Sequence, residues 1–158
     1  MNGEHHYALT TNWTGNKGSG TSSYQAYERS YVVTCKHEKQ LLGSSDPAFR
    51  GDATRYNPEE ILLASLSSCH MLWYLHLCSV AGVVVVDYRD DAKGTMAETS
   101  DGSGRFTEVI LQPVVTVAEK GMADKAIELH VKANEMCFIA RSVNFPVKHL
   151  PQCRVQEK

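Results

Sequence analysis

The sequence contains a run of 26 residues without a formal charge, from Ile61 to Val86, which limits the possible folds. Directly before it stands Asn57-Pro58-Glu59-Glu60, which is typical of a helix start. Asparagine is a good N-cap, proline fits the first helical position, and a glutamate at the third can complete a capping box. Gly82 provides a C-terminal stop. The pattern predicts a helix that runs to Ala81 and is about 36 Å long.

A helix of this length and composition has three possible surroundings. By length alone it could span a bilayer. Its serines and histidines, however, are a heavy polar load for hydrocarbon; they are Ser65, Ser67, Ser68, His70, His76 and Ser79. A helix that is apolar on nearly all sides is otherwise buried in a core or an oligomer. Since one chain of 158 residues rarely surrounds such a helix completely, we expect burial between two subunits and no membrane contact.

The remaining sequence predicts strands on either side of the long helix and shorter helices near the end. This order indicates a single α+β domain over residues 1–158 with largely antiparallel sheets. Strands are predicted at His6–Trp13, Glu28–His37, Val83–Val86, Ala92–Glu98, Phe106–Ala118 and Val143–Val147 with Arg154–Gln156. Helices are predicted at Met122–Met136 and Cys137–Ser142, and the segment Leu42–Tyr56 is predicted to be irregular.

Charge and cysteine usage exclude several classes of function. The formal net charge of -2 gives no basic excess for nucleic acid. The N-terminus is polar and has no signal-peptide pattern. The five cysteines are odd in number and widely spaced without a CxxC motif, which argues against a secreted disulfide framework and favours a reducing cytoplasm.

A metal site is not expected on the long helix. His70 and Cys78 are eight residues apart and diverge by about 80°, whereas His70 and His76 diverge by about 120°. Neither pair has the four-residue spacing of helical zinc ligands. We therefore predict no metal on this helix, and no organic cofactor is expected either.

The helix start and the cysteine that follows it resemble a known signature. The stretch Asn57–His70 (NPEEILLASLSSCH) is similar to the OsmC/Ohr family, in which NPEE or NPEQ opens a central helix that carries a cysteine after small residues. Cys137, 68 residues after Cys69, stands where the family has its second cysteine. The resemblance implies antiparallel sheets packed on a long central helix in an intertwined homodimer.

The resemblance also implies an activity, the thiol-dependent reduction of hydroperoxides. Ohr members favour organic hydroperoxides, and OsmC members are broader and include inorganic ones. Carried over by position, Cys69 is the peroxidatic thiol that becomes a sulfenic acid, and Cys137 resolves it as a disulfide. Glu59 matches the family glutamate and Arg50 its arginine. The implied partners are a hydroperoxide and an external dithiol reductant.

The chemistry of the residues agrees with these roles. A cysteine attacks peroxides as the thiolate, and burial disfavours that form unless a cation lies nearby. Arginine stays charged when buried, and a glutamate can hold it. Arg55 and Arg29 remain alternatives to Arg50. Because Glu59 and Cys69 are about 15 Å apart along the helix, we expect two antiparallel copies of the helix to form composite sites.

The aromatic and aliphatic residues near the two cysteines define the expected pocket. Phe49, Met71, Leu72, Trp73 and Phe138 could line a site for an organic hydroperoxide, although each also fits a simple core position.

The sequence departs from the family pattern at three places. His70 replaces a phenylalanine, Phe138 replaces a proline, and the loop before Asn57 is not glycine-rich. These departures bear on the substrate preference and on the efficiency of the chemistry. The alternative function is a non-catalytic dimer that binds an apolar ligand or senses redox state, and Cys137 and a correctly placed arginine are the features that distinguish the enzyme from it. The other cysteines, Cys35, Cys78 and Cys153, are expected to be inert.

Overall fold

The protein is described from a computed structural model that covers residues 3–36 and 39–157. Its backbone contacts divide the chain into two compact units, Met1–Ile61 and Leu62–Lys158. The single domain expected from the sequence therefore stays a prediction, and each unit is described by itself.

The first unit contains a small antiparallel sheet. Its strands β1 (Thr10–Trp13), β2 (Tyr31–Thr34) and β3 (Leu41–Gly43) pair in that order. The first two lie within the predicted strands; the end of the predicted second strand, at His37, lies outside the described residues. The segment Leu42–Tyr56 was expected to be irregular. The strand β3 overlaps its start, and a short 3-10 helix at Pro47–Phe49 lies within it.

The long helix α1 (Pro58–Val80) begins and ends where its sequence predicts. Asn57 Oδ1 accepts the Glu60 backbone N–H at 2.7 Å, and Glu60 Oε2 accepts the Asn57 N–H at 3.0 Å, which is a complete capping box. At the other end Gly82 takes the left-handed conformation with φ of 72°. The Val83 N–H then donates to the Cys78 carbonyl at 2.9 Å, so the last turn closes as a Schellman motif.

The described part of the second unit builds two mixed sheets around α1 and a second helix. The sheet orders are β4-β7-β9 and β5-β6-β8. The pairs β4–β7 and β5–β6 are antiparallel, whereas β8 and β9 add in parallel. The elements are β4 (Val85–Asp90), β5 (Lys93–Glu98), β6 (Gly104–Leu111), β7 (Pro113–Val117), α2 (Ala123–Met136), β8 (Val147–His149) and β9 (Gln152–Val155). The predicted α+β class is confirmed.

The single strand predicted over Phe106–Ala118 is wrong, because the chain forms two strands there that belong to different sheets. Pro113 has no backbone N–H and stands at the first position of β7. The preceding Gln112 N–H leaves the ladder and donates to Asp90 Oδ1 at 2.7 Å. The proline therefore marks the point at which the chain passes from one sheet to the other.

Two further boundaries differ from the sequence prediction. The strand expected at Val83–Val86 begins later and continues to Asp90, because Val83 completes the helix cap. The helix expected over Cys137–Ser142 is only a 3-10 turn at Ala140–Ser142. Cys137 itself is extended, with ψ of 111°, at the end of α2.

The helix α1 buries one narrow stripe. Its fully buried residues are spaced by four; they are Leu66, His70, Tyr74 and Cys78. The opposite face is exposed but carries no formal charge; its residues, called here the exposed stripe of α1, are Ala64, Ser68, Leu72, His76 and Val80. Leu72 and Val80 keep 64% and 73% of their surface. The helix is therefore much more apolar than its burial within one chain explains.

Candidate functional site

The structure brings the two predicted thiols together in the second unit. Cys69 lies in the middle of α1 and is half-buried, whereas Cys137 is buried at the C-terminal end of α2. Both are free thiols. The Cys69 side chain is near enough to perturb the titration of Cys137. Since Cys137 stands where α2 ends and the chain becomes extended, its segment can adjust more easily than the middle of α1.

The surroundings of Cys137 keep it protonated at neutral pH. Burial, and then the neighbouring Cys69 sulfur, raise the pKa of Cys137 to about 11. The Ala140 N–H donates to Cys137 Sγ at 3.4 Å and acts in the opposite direction. A thiol in this state is a poor first nucleophile.

An apolar pocket of about 540 Å³ opens beside Cys69. Nearly all of its surface is carbon, and its volume lies in the range of small-molecule sites. Trp73 and Phe138 meet edge to face in its wall, with ring centroids 5.5 Å apart and an interplanar angle of 87°. The lining residues are Ser65, Ser68, Cys69, Leu72, Trp73, His76, Phe138 and Ile139. All of them belong to the second unit.

Three of the five residues predicted for the pocket line this cavity: Leu72, Trp73 and Phe138. Met71 does not line it, because two residues along a helix turn its side chain about 200° from Cys69. Phe49 belongs to the first unit, at the end of the short helix Pro47–Phe49.

The three candidate arginines have different surroundings in the first unit. Arg29 is held in place: its guanidinium donates to the Tyr27 and Tyr24 carbonyls at 2.6 and 2.7 Å and lies 4.2 Å from both ring centroids. Arg55 pairs with Asp52 at 3.4 Å. Arg50 makes no ion pair with a described residue, and its guanidinium lies 5.8 Å from the Tyr24 ring.

The backbone of Arg50 adds a second distinction. Its φ of 64° makes it the one residue other than glycine with a positive φ among residues 3–36 and 39–157. Such a conformation costs free energy and is enriched at functional positions. Of the three, Arg50 is thus without an ion pair among the described residues and has the least ordinary backbone, whereas Arg55 keeps one buried Nη1 without a partner there.

Glu59 is half-buried in the first turn of α1. It is not used in the helix cap, which is made by Glu60. It faces Tyr31 of β2, whose pKa is raised first by burial and then by the Glu59 charge. Among the described residues Glu59 and Arg50 form no ion pair, so the expected contact between them is not made within one chain.

Behind Cys69, the adjacent His70 is buried in a histidine cluster. His70 Nε2 and His130 Nδ1 are 3.0 Å apart. Their rings are nearly coplanar, at 6°, with centroids 5.3 Å apart, so they meet edge to edge. Face stacking is seen instead between Tyr74 and His130, at 3.8 Å. His149 lies 5.8 Å from His70, and the described residues contain no cluster with metal-ligand geometry.

Burial keeps these imidazoles neutral. Burial first, and then the neighbouring histidines, lower the pKa of His70 to about 4 and that of His130 to about 3. Burial also lowers the pKa of His149. His70 Nδ1 and His130 Nε2 are buried without a partner among the described residues, so either tautomer of the pair leaves one N–H and one lone pair unsatisfied.

Sequence reasoning missed several of these residues. His76, Ser65, Ser68 and Ile139 line the pocket although none was predicted there. The signal for three of them was available, because the spacings from Cys69 of minus four, minus one and plus seven place them near one helix face. His130 carried no such signal, since its partner lies 60 residues away.

Comparison with known proteins gives a consistent result. A family model described as OsmC-like protein matches residues 51–149. The uncharacterised protein YmaD of Bacillus subtilis is 24% identical over 144 residues, which cover 89% of this chain and 87% of YmaD. An OsmC-like protein of unknown function from Vibrio cholerae is 27% identical, with a TM-score of 0.85 over 94% of this chain and 99% of its own.

A more distant structure carries a functional description. An organic hydroperoxide resistance protein from Elizabethkingia anophelis has a TM-score of 0.68 and covers 99% of this chain and 100% of its own. Its identity of 14% means that the likeness concerns the fold.

Proposed function

This chain belongs to the OsmC-like family, and we propose that it is a cysteine-based hydroperoxide reductase. Its proposed substrates are organic hydroperoxides and also inorganic ones. The observation that carries the proposal is the placement of Cys69 in the wall of an apolar pocket with Cys137 as its neighbour. Some proteins of this fold are described as hydroperoxide resistance proteins. No metal or organic cofactor takes part in the proposed reaction.

In the first step the Cys69 thiolate attacks the terminal oxygen of the hydroperoxide. The sulfur–oxygen bond forms as the O–O bond breaks, so that Cys69 is oxidised to a sulfenic acid and the peroxide is reduced to an alkoxide. The alkoxide takes a proton and leaves as the alcohol. The apolar wall formed by Leu72, Trp73 and Phe138 accommodates the organic part.

In the second step Cys137 resolves the sulfenic acid. Its sulfur displaces the hydroxyl of Cys69, a disulfide forms, and the Cys137 proton leaves with the hydroxyl as water. The raised pKa of Cys137 suits this order, because a protonated thiol does not compete for the peroxide. An external dithiol then restores both thiols by exchange.

A cation at Cys69 completes the proposal. We assign this role to Arg50, because Arg29 is held by carbonyls and rings and Arg55 pairs with Asp52 through Nε; the unpartnered Arg55 Nη1 makes Arg55 the second candidate. Glu59 would hold the guanidinium. Since Glu59 and Cys69 are ten residues apart on one continuous helix, about 15 Å along its axis, the arginine and glutamate that serve one thiol are proposed to come from two copies of the chain.

The exposed stripe of α1 supports a homodimer. In the described residues, α1 is also the one helix long and apolar enough to cross a membrane, by length and composition alone, a test that core helices of soluble proteins pass as well. We propose that a second copy covers the stripe, because Ser68 and His76 are poorly suited to lipid. The pocket opens on this stripe, so the second copy would supply part of its wall.

The proposed setting is a reducing cytoplasm. The odd number of cysteines and their wide spacing without a CxxC motif support this setting, since secreted proteins commonly carry a framework of paired cysteines. The proposed partners are accordingly a hydroperoxide, a cellular dithiol and a second copy of the chain, with neither nucleic acid nor membrane.

The proposal is tested by a peptide map of the protein after treatment with one equivalent of an organic hydroperoxide. We expect a Cys69–Cys137 disulfide and the corresponding alcohol in equal amounts. A Cys69→Ser variant should leave the peroxide unconsumed. A Cys153→Ser variant, which changes a thiol outside the pocket, is the matched control and should behave as the native protein. Thiols that stay reduced in excess peroxide would contradict the proposal.

The alternative function is a non-catalytic dimer that holds an apolar ligand. The pocket of about 540 Å³ fits this function as well as it fits catalysis. It would be favoured if the peptide map shows no oxidation and an apolar fluorescent probe binds in the pocket.

A further inference from the structure

Among the residues that the structure describes, one side-chain hydrogen bond joins α1 to α2, the 3.0 Å contact between His70 Nε2 and His130 Nδ1. The rest of the contact between the two helices is apolar packing, in which Tyr74 and Cys78 of α1 share a core cluster with Ala126, Leu129 and Ala133 of α2. Both histidine rings are completely buried within a single chain. A second copy that covers the exposed stripe of α1 therefore leaves the hydrogen bond unchanged.

The histidine pair lowers stability compared with an apolar contact of the same shape. His70 Nδ1 and His130 Nε2 are buried without a partner among the described residues, and an unsatisfied buried polar atom is destabilising. Two apolar rings would fill the same space without this penalty. A polar contact of this kind is best explained where it selects one arrangement of two helices over others, as a single buried asparagine does in a coiled coil.

The arrangement that the pair selects is the position of α2 along α1. Apolar packing is non-directional and tolerates small shifts, whereas a hydrogen bond is lost when its atoms move apart by roughly half an ångström. The Tyr74 ring stacks on the face of His130, with centroids 3.8 Å apart and an interplanar angle of 10°. His130 is thus held at its edge by His70 and on its face by Tyr74, one turn further along α1.

Each histidine is close in sequence to one of the two candidate thiols. Cys69 directly precedes His70 on α1. Cys137 follows His130 by seven residues, which is about 10.5 Å along α2 and about 20° short of two full turns. Because Cys137 stands at the end of α2, on the same face as His130, a shift of α2 along α1 would move the Cys137 sulfur away from Cys69.

We propose that His70 and His130 are positioning residues for the resolving step, in which Cys137 forms the disulfide with Cys69. In that step the sulfur–sulfur bond forms, and the hydroxyl of the Cys69 sulfenic acid leaves with the Cys137 proton as water. Neither histidine lines the pocket, so neither touches the peroxide. The role rests on the proposed function for the origin of the sulfenic acid, and it goes beyond that function by assigning the contact that brings the second thiol into place.

The first test separates the two steps in a His70→Phe, His130→Phe double variant, which keeps a packed aromatic contact and removes the hydrogen bond. Protein is mixed with one equivalent of cumene hydroperoxide and quenched with dimedone at successive times. Loss of peroxide gives the rate of the first step, and mass spectrometry of the disulfide gives the rate of the second. We expect a native first rate and a second rate lower by roughly tenfold to a hundredfold, the effect of a misplacement of about 1 Å.

Two further variants show whether the hydrogen bond is the cause. His70→Gln places an amide near the position of Nε2 and can still bond to His130, so it should retain fast disulfide formation. Tyr74→Phe removes a buried hydroxyl that has no partner among the described residues and keeps the ring that stacks on His130. It is the matched control and should form the disulfide at the native rate.

The fold of each variant is checked by circular dichroism and by urea denaturation at neutral pH. If two phenylalanines overpack the contact and the double variant does not fold, His70→Leu, His130→Phe takes its place, because leucine is smaller and also forms no hydrogen bond.

The second test needs no hydroperoxide. Native protein and the double variant are equilibrated with mixtures of oxidised and reduced dithiothreitol, and the fraction with a Cys69–Cys137 disulfide is measured. The equilibrium constant for disulfide formation should be roughly tenfold lower in the double variant, since its thiols are less well placed for each other. If this difference is found but no hydroperoxide is consumed, the positioning role stands and the proposed reductase function fails.

Three results would overturn the positioning role. The first is disulfide formation at the native rate and with the native equilibrium constant in a folded double variant. The second is an equal slowing of both steps, which would indicate general damage to the site. The third is a His70→Gln variant that forms the disulfide as slowly as the double variant, which would mean that the hydrogen bond is not the cause.

Discussion

At the scale of single residues, Cys69 and Cys137 are identical side chains in different surroundings. Cys137 is buried and its pKa is raised to about 11, whereas Cys69 opens on a pocket. Burial disfavours the thiolate, and the proposed division of roles, with Cys69 as the first nucleophile and Cys137 as the resolving thiol, is based on this difference in burial.

A Cys137→Ser variant should separate the two chemical steps. Without the resolving thiol, one equivalent of peroxide should still be consumed, and the Cys69 sulfenic acid should accumulate and be trapped by dimedone. Turnover with a dithiol that acts on disulfides should fall at least tenfold. Mass spectrometry of the dimedone adduct gives the measurement, and Cys78→Ser serves as a control for a buried thiol. Equal turnover in native and Cys137→Ser protein would remove Cys137 from the mechanism.

An Arg50→Met variant should slow the first step. If its guanidinium stabilises the thiolate and the developing alkoxide, its loss should lower the rate of sulfenic acid formation by roughly a hundredfold. The rate is measured under single-turnover conditions. Arg55→Met is the matched control, because that guanidinium is paired with Asp52. If Arg55→Met forms the sulfenic acid slowly and Arg50→Met forms it at the native rate, Arg55 and not Arg50 stabilises the thiolate.

At the scale of elements, α1 joins the capping motif, the thiol and the pocket in one rigid unit. Its start is fixed by Asn57 and Glu60, and its end by Gly82. The positions of Cys69 and His76 on one face follow from those limits and the helical repeat. Its opposite stripe packs into the core through residues that include His70 and Tyr74.

An Asn57→Ala variant should lower the free energy of unfolding by about 1 kcal/mol, since it removes the side-chain half of the capping box. Urea denaturation followed by circular dichroism gives the measurement. Glu60→Gln is the control, because glutamine can still reach the Asn57 N–H and should change stability much less. A larger loss in Glu60→Gln than in Asn57→Ala would mean that the charge, not the cap, stabilises the helix start.

The buried pair of His70 and His130, between α1 and α2, should make the free energy of unfolding depend on pH. The pKa values of His70 and His130, about 4 and about 3, lie below the ordinary value of about 6.5. Between these limits the unfolded chain binds more protons than the folded one. Stability is therefore complete above about pH 6.5 and falls as the pH drops towards 4, by up to about 1.4 kcal/mol per pH unit for each imidazole.

Urea midpoints measured at successive pH values test this dependence. In a double variant His70→Phe, His130→Phe, both buried polar rings become apolar and the stack on Tyr74 is kept, so the slope below pH 6.5 should flatten. His6→Phe changes an exposed histidine and should leave the slope as it is. An unchanged slope in the double variant would assign the acid sensitivity to other groups.

At the scale of the whole molecule, the exposed stripe of α1 is uncharged and largely apolar although it faces solvent in a single chain. Ala64, Leu72 and Val80 are exposed in one chain, although the helix has an apolar composition on nearly all sides. An apolar surface of this kind indicates an interface. The proposed composite site requires the same interface, because Glu59 and Cys69 are far apart on one helix.

We expect Ala64→Glu and Val80→Glu to convert a homodimer into monomers, since a buried unpaired carboxylate is costly. Sedimentation velocity gives the mass, and circular dichroism checks the fold. Val131→Glu is the matched control, because Val131 is a 55% exposed apolar residue on α2 and not on the stripe. A monomeric native protein with full activity would contradict the composite site, and partition of the native protein into vesicles would favour a lipid partner.

Features that depend on neighbouring residues along the chain were predictable from the sequence. The limits of α1 were predictable because capping residues and the Gly82 stop act within one turn. The class of fold followed from the order of elements. The two candidate thiols and the family followed from a local signature, NPEE with Cys69, and from the position of Cys137. These signals need no knowledge of which distant faces meet.

Features that depend on contacts between distant elements are visible only in the tertiary structure. The change of sheet at Pro113 depends on Asp90, which accepts the Gln112 N–H from another strand. The environment of His70 depends on His130, 60 residues away. The pocket beside Cys69 depends on Phe138 and Ile139, which come from a distant part of the sequence. Periodicity assigns a residue to a face, but burial and partners are set by the element packed against that face, and local patterns do not encode it.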